Sequence, residues 1–268
     1  MPRIQISTLP CMEAVADGEM ELKSFGQFNT KIHYHEKAQL LSPEMGVVYL
    51  YSEKGNFCLP AGHYAYISSG VNHKLVSRSQ NLKLKTVFLD MSANQSKAFC
   101  RNGIAIFQPS SLLDNLLIFG KQHWFKKGND DLRTSGLLYL KMVLPHILKT
   151  PLKLSIQPPQ SELLLGVVEY IVSSLDEHIK ISSIADFINI SERTLFRLFK
   201  KETGMTIFQF IKLSRMQMAL ELLEDEELNI NEIVYRVGYD SASTFSNLFK
   251  ELLGTSPQKY RQNFLKKT

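Results

Sequence analysis

An internal repeat in the last third of the chain constrains the fold more than any other feature of the sequence. Segment 191–204 recurs as segment 241–254, and Ser, Thr, Leu, Phe, Lys and Gly fall at equal offsets in the two copies. Each copy follows a short apolar-periodic segment and a tight turn. A short helix, a turn and a second helix that begins at a serine cap form the helix-turn-helix pattern. The repeat therefore predicts two helix-turn-helix units, at about 181–204 and about 230–254.

A single helix is predicted to join the two units. Thr206 and Gln209 have the T-x-x-Q form of a capping box, and the helix that they open extends to about Leu223. A helix of this length spans ~27 Å at ~1.5 Å per residue. Successive major grooves on one face of DNA lie ~34 Å apart. One chain with this linker helix, 206–223, could therefore read an asymmetric site of about two DNA turns.

The outward faces of the two recognition helices carry the predicted DNA contacts. Leu195, Leu198 and Phe199 share the inward face of the first helix, which leaves Arg193 and Arg197 pointing outward. Arginine can pair with both acceptors of guanine, whereas the short side chains of the second helix suit adenine, a thymine methyl group or a phosphate. The alternative is an ordinary helical bundle with solvated cations, which the repetition of the whole unit disfavours. The predicted DNA-binding residues are Ser191, Arg193, Thr194, Phe196, Arg197, Lys200, Lys201, Ser241, Ser243, Thr244, Asn247, Lys250, Lys259 and Arg261.

Net charge does not locate the DNA-binding segment. Residues 161–268 hold 13 Lys and Arg against 15 Asp and Glu, a net of −2, within a chain whose net charge is +5. The prediction therefore rests on local pattern. The sequence has no apolar run of the ~18 residues that a spanning helix needs, and residues 1–6 lack the apolar core of a secretory signal. We expect a cytoplasmic protein without a membrane partner.

The first half of the chain has a different pattern. Up to about residue 90, short β-branched and aromatic runs alternate with turn residues, as at 45–51 and 82–89, which predicts a small antiparallel barrel or sandwich. Two amphipathic helices follow, at 111–119 and 130–148, and Pro145 is expected to kink or divide the second one. They carry more apolar residues than a small barrel needs to cover itself. We therefore predict that they form a dimer contact, at Leu137 and Leu140.

These patterns predict an α+β chain with four segments. A barrel covers 1–108 and dimerisation helices cover 109–150. A proline-rich linker follows at 151–160, and an all-helical DNA-binding domain occupies 161–268. The first helix of that domain is predicted over residues 162–178, where apolar residues from Leu163 to Leu175 share one face.

The helical domain resembles the AraC/XylS family of transcription regulators from about residue 162 to residue 261. It departs from the family pattern at Val234, where a small alanine is usual, and at Asn247, where many members carry a basic residue. The residues that carry the resemblance are Ile184, Ala185, Ser191, Leu195, Arg197, Phe199, Lys200, Gly204, Arg215, Ala219, Leu222, Leu223, Ile233, Gly238, Tyr239, Ser241, Phe245, Ser246, Phe249, Lys250, Gly254, Ser256, Pro257, Tyr260 and Arg261.

This resemblance implies a function. Family members are sequence-specific regulators of transcription, usually activators, that bind double-stranded DNA and act on RNA polymerase. Members of this size carry a cupin-like barrel that senses an effector, followed by helices that form a homodimer. The modest barrel and residues 57–59 are also similar to virulence-type members of the family.

The histidines of the first half resemble part of the cupin metal motifs. His33 and His35 form an H-x-H pair and His73 ends a segment like the second cupin motif, but the nearest carboxylate, Glu44, is poorly spaced. We therefore predict no metal, no cofactor and no enzyme activity, and instead an effector pocket at His33, His35, Tyr64, Tyr66 and His73.

Two alternatives to a small-molecule sensor remain open. One is a cupin-type metalloenzyme domain fused to the DNA-binding module. The other is a barrel that binds a regulatory protein as its effector.

Overall fold

The computed structural model describes residues 17–124, 126, 128–152 and 154–265. Within these residues the chain forms two compact units. The first comprises the described residues of 17–54 and 59–152, and the second comprises 55–58 and 154–265. The first contains most of the strands and the second most of the helices, so the predicted α+β fold class is confirmed.

Two five-stranded sheets form the β-structure, and their registered strand pairs run antiparallel. Paired antiparallel sheets of this size occur in jelly rolls and cupins, which agrees with the predicted cupin-like barrel. The first sheet has the strand order β1 (Met20–Phe25), β8 (Leu82–Leu89), β3 (Ala38–Met45), β6 (Tyr64–Ile67), β9 (Ile104–Phe107). The second has the order β10 (Ser155–Ile156), β5 (Gly55–Leu59), β4 (Val48–Ser52), β7 (His73–Ser77), β2 (Phe28–Asn29).

Three helices complete the first unit: α1 (Ala93–Lys97), α2 (Ser111–His123) and α3 (Asp130–Ile147). Alternate residues of a strand point to opposite faces of its sheet. On the first sheet one face, which includes Leu40 and Val87, packs with α2 and α3 in one apolar core. The other face lines the interior of the barrel and includes Gln39 and Thr86.

The helix pair differs from the sequence-based prediction in its packing, at Pro145 and in length, since α2 ends at His123 rather than at residue 119. Leu137 and Leu140 are 6 % and 0 % exposed and belong to the core beneath the first sheet, so their prediction as dimer contacts was wrong. The apolar periodicity was real, but the barrel itself covers that face of α3. Pro145 lies within the last turn of the helix and does not divide it, because there the missing N–H removes at most one bond near the end.

The second unit contains seven helices within the described residues. The helix that begins at Glu162 was expected to extend to residue 178 but ends at Ser173. The predicted linker segment 151–160 contains strand β10, whose Ser155 and Ile156 pair with Phe57 and Asn56. The helices are α4 (Glu162–Ser173), α5 (Ile181–Phe187), α6 (Glu192–Thr203), α7 (Ile207–Leu222), α8 (Ile230–Arg236), α9 (Ala242–Leu253) and α10 (Pro257–Leu265).

The length and polarity of the helices bear on whether any of them could cross a membrane. Across the described residues, every helix is too short or too polar to span a bilayer.

Candidate functional site

The first helix-turn-helix unit consists of α5, a four-residue turn and α6. In the turn, Asn189 adopts a left-handed conformation with φ of 53°. The backbone N–H of Ile190 then donates to the carbonyl of Ala185 at 3.0 Å, which closes the end of α5. Ser191 caps α6, because its Oγ accepts a hydrogen bond from the Thr194 N–H at 3.2 Å. The turn therefore fixes the angle at which α6 leaves α5.

The exposed face of α6 carries four cations. Arg193, Arg197, Lys200 and Lys201 are all exposed, whereas Leu195 and Phe199 on the opposite face are fully buried. Phe196, predicted to point outward, is half-buried and its ring centroid lies 5.8 Å from that of Phe208 on α7. Only the exposed edge of its ring therefore remains open to a partner. Amphipathicity this strong leaves a cationic surface suited to phosphates and guanine edges.

The second unit, α8 and α9, repeats this geometry with a turn one residue longer. Gly238 takes the left-handed place of Asn189, with φ of 77°. Ser241 caps α9 by accepting from the Thr244 N–H at 3.4 Å. The exposed face of α9 presents short polar side chains and one cation: Ser243, Thr244, Asn247 and Lys250.

Arg215 on α7 connects the segment after α4 to the turn of the second helix-turn-helix unit. Its Nε donates to the carbonyl of Leu175 at 3.1 Å and its Nη2 to that of Glu177 at 2.7 Å, just after α4. The same guanidinium lies 5.4 Å from the ring centroid of Tyr239, in the second turn. A Cβ on the neighbouring Gly238 would come within 2.5 Å of Arg215 Nη2, so the backbone of that turn packs directly on the guanidinium. One side chain thus fixes α4, α7 and the second turn relative to one another.

Arg261, predicted as a DNA contact, has a structural role instead. Its Nε donates to the carbonyl of Leu223 at 3.2 Å and its Nη1 to that of Leu228 at 2.6 Å. Burial lowers the pKa of this guanidinium below its usual value. The side chain caps carbonyls at the end of α7, which the sequence pattern could not reveal because it depends on a contact 38 residues away. Lys259 nearby remains exposed.

The barrel brings the three predicted pocket histidines together. The ring centroids of His33 and His73 are 4.4 Å apart, and His35 lies 5.0 Å from His33 and 5.4 Å from His73. Backbone bonds between His33 and His73 in both directions hold the two segments in register. Burial, with a smaller contribution from His33, lowers the pKa of His35 to about 4. Burial likewise lowers the pKa of His73 to about 4, so both rings are neutral at neutral pH.

A small pocket of ≈ 40 Å³ adjoins this cluster. His33, His35 and Gln39 line it together with the charged Glu21 and Lys23 and with apolar residues of both sheets. Tyr64 and Tyr66 were predicted to share this pocket, and the structure contradicts this. They point to the helix-covered face of the first sheet, where their hydroxyls bond Asp114 at 2.5 Å and Ser96 at 2.7 Å. The i, i+2 spacing of Tyr64 and Tyr66 places both side chains on the same face of the strand, but it does not indicate whether that face lines the barrel interior or packs against the helices.

The comparisons with known proteins agree with the helical geometry. A sequence model of the helix-turn-helix domain family matches residues 184–263. The chain is 23% identical over 233 residues to the probable transcriptional regulator LumQ of Photobacterium leiognathi, covering 85% of this chain and 91% of LumQ. It is 26% identical over 226 residues to the transcriptional activator RhaR of Mannheimia succiniciproducens, covering 78% and 79%. The solved C-terminal domain of AraT, a response regulator from Geobacillus stearothermophilus, has 37% identity over 38% of this chain and 85% of that domain, with a TM-score of 0.37.

Two capped recognition helices with exposed polar faces, fixed to one linker helix, define a DNA-binding protein. The family match and the relatives narrow this class to regulators of transcription. Residues 184–263 form an AraC-type helix-turn-helix domain, and over most of its length the chain is similar to proteins named as transcription regulators.

Proposed function

We propose that this regulator recognises an asymmetric DNA site by placing α6 and α9 in successive major grooves. The observation that supports this most strongly is the rigid connection through Arg215, which sets the second turn against α7 and the end of α4. Helix α7 has 16 residues, a length of ~24 Å, which is a suitable spacer for recognition helices ~34 Å apart. A single chain then contacts both half-sites without two-fold symmetry.

The two recognition helices divide the work in this proposal. On α6, Arg193 and Arg197 read base edges, and each bidentate contact to guanine contributes about 1–3 kcal/mol of discrimination. On α9, Ser243, Thr244 and Asn247 discriminate less, and Lys250 attracts the phosphate backbone. Ser191, Thr194 and Ser241 serve mainly to cap the helices, since their hydroxyls are already engaged in local hydrogen bonds.

Binding assays on a saturated library of sites, at two salt concentrations, test this division. Arg193→Ala or Arg197→Ala is expected to relax preference at one or two base pairs in one half of the site. Lys250→Ala is expected to weaken binding to all sequences alike and to lower the log–log salt slope by about one. Lys97→Ala, an exposed lysine of α1, removes the same charge from the other unit and should change neither property. Uniform loss of affinity in the arginine variants would reverse the assignment of α6.

The first unit serves, in this proposal, as a sensor and dimerisation module without enzyme activity. The pocket beside the histidines encloses ≈ 40 Å³, whereas ligand pockets typically enclose about 300–1,000 Å³, so in this proposal a small effector enters only when the lining side chains move apart. A cytoplasmic homodimer that activates transcription through RNA polymerase is the corresponding working form.

Dimerisation would use the exposed face of α3. Leu138, Tyr139 and Met142 are 59 %, 51 % and 62 % exposed there. They replace the buried Leu137 and Leu140 as the expected contact residues.

A further inference from the structure

The histidine cluster in the barrel has the nitrogen geometry of a metal site. One ring nitrogen from each of His33, His35 and His73 lies within 4.8 Å of the other two. Ligand nitrogens of a tetrahedral zinc site with bonds of about 2.0–2.1 Å lie roughly 3.3 Å apart, so modest side-chain rotation closes the set. The cluster joins the segment after β2 to the start of β7, and the paired backbone of His33 and His73 keeps it assembled.

Two of the three rings are oriented by their own backbone. His33 Nδ1 donates to the carbonyl of Lys31 at 2.8 Å, and His73 Nδ1 donates to that of Val71 at 2.9 Å. With the proton held on Nδ1, the lone pair of each ring is on Nε2. Metal-binding histidines are generally fixed in this manner, by a carbonyl or carboxylate on the nitrogen that does not bind.

Buried polar atoms near the cluster lack hydrogen-bond partners among the described residues. They are His35 Nδ1, His73 Nε2 and Gln39 Oε1, on side chains of residues that are 9 %, 1 % and 5 % exposed. An unpaired buried polar atom costs about 1–3 kcal/mol, so three of them close together require an explanation.

We propose that His33, His35 and His73 bind a divalent first-row transition metal ion, with Zn²⁺ the expected occupant. Neutral imidazoles suit zinc, copper, nickel and iron, whereas magnesium and calcium take oxygen ligands. Three histidines leave a fourth position, and Gln39 Oε1, on a side chain that lines the adjoining pocket with His33 and His35, is a candidate for it. An effect of the metal on regulation would rest on the proposed function. Metal binding itself does not, because it is measured without DNA.

The experiment uses the full chain, stripped of metal with a chelator and dialysed. Zn²⁺ affinity is measured by competition with a chromophoric chelator, and Co²⁺ reports ligand geometry through its visible absorption. We expect one ion per chain, an intense spectrum typical of low coordination number, and a higher unfolding temperature with Zn²⁺ than with Mg²⁺. His73→Gln and His33→Gln should each weaken Zn²⁺ binding by about tenfold or more, since even losing a supporting contact costs about 10–100-fold.

His146→Gln is the matched control, because His146 is an exposed histidine of α3 outside the cluster. It should bind Zn²⁺ like the unaltered chain. His33 is the most exposed of the three cluster residues, so its variant is expected to fold, and circular dichroism checks this.

Equal Zn²⁺ affinity in the unaltered chain and the folded His33→Gln variant would overturn the proposal, as would a Co²⁺ spectrum of weak octahedral type. DNA binding is measured in parallel. If the unaltered chain bound its DNA site but no Zn²⁺, the metal site alone would be contradicted. If it bound Zn²⁺ but no specific DNA site, the proposed function alone would be contradicted.

Discussion

At the scale of single residues, the most informative positions are those that hold the backbone in place. Asn189 and Gly238 occupy equivalent positions in the turns of the two helix-turn-helix units, and both have a positive φ. Asparagine is among the few residues with a side chain that tolerate this conformation readily, so the first turn needs no glycine. Gly238 has a second reason to be glycine, since a Cβ there would lie 2.3 Å from the carbonyl oxygen of Leu175.

The strongest test at this scale is Arg215→Lys. Lysine keeps the charge but cannot donate to both carbonyls from a planar group while stacking on Tyr239. Loss of one such hydrogen bond is expected to lower the free energy of unfolding by about 1.5–3 kcal/mol. Because the second turn loses its fixed position, affinity for the complete DNA site should fall more than affinity for a site with only the first half intact.

Urea titration and gel-shift assays with complete and half sites measure the two effects. Arg236→Lys is the control, since Arg236 lies exposed on α8. Parallel loss of affinity for complete and half sites would show that Arg215 supports folding without setting the spacing of the two units.

At the scale of elements, the sequence predicted best the helices whose ends carry capping residues. Helices α6, α7 and α9 begin after Ser191, Thr206 and Ser241, and α6 and α9 end at left-handed Gly204 and Gly254. Local hydrogen bonds of these residues fix such boundaries, so sequence alone suffices. Helix α4 has no such stop signal, and its end at Ser173 was missed by five residues.

What covers an apolar face could not be predicted from periodicity. Leu137 and Leu140 were correctly seen as apolar and wrongly assigned to a partner, because the sequence does not reveal that the first sheet presents Tyr64 and Tyr66 to the same core. The grouping of His33, His35 and His73, in contrast, was predicted from their resemblance to the cupin motifs, and the ring distances confirm it. His33 and His73 are 40 residues apart, and an antiparallel backbone bridge brings their rings together.

The exposed face of α3 supports a prediction at this scale. Replacing both Leu138 and Met142 with glutamate is expected to shift a dimer of the chain toward monomer, because charges would then face each other across an apolar contact. Sedimentation velocity at several concentrations measures the shift.

Ile32→Glu is the control for that experiment, because Ile32 is 73 % exposed on the barrel and lies outside α3. The proposed dimer face would be wrong if the double variant sedimented like the unaltered chain, or if Ile32→Glu dissociated the dimer equally.

At the scale of the whole molecule, neither net charge nor the proline-rich segment marks the part of the chain that binds DNA. Residues 161–268 have a net charge of −2, yet α6 concentrates four exposed cations on one face, so DNA attraction depends on their placement. The division of the chain also departs from the proline-rich segment. The continuous part of the second unit begins at residue 154, ahead of most of the predicted linker. Ile156 is 8 % exposed there, within the core that contains α4, α5 and α6.

This boundary leads to a prediction about fragments. A fragment of residues 154–268 retains Ile156, whereas a fragment of residues 161–268 exposes the core surface that Ile156 covers. Full burial of an isoleucine side chain contributes about 1.5–3 kcal/mol, and part of this should survive without the pairing to residues 55–58. The longer fragment is therefore expected to unfold at a higher urea concentration, while both fragments bind the same DNA sites. Ile156→Ser in the longer fragment should reduce its midpoint to that of the shorter one. Equal midpoints for the two unaltered fragments would mean that the helices form a complete core by themselves and that the domain begins after the prolines, at the boundary that composition alone predicts.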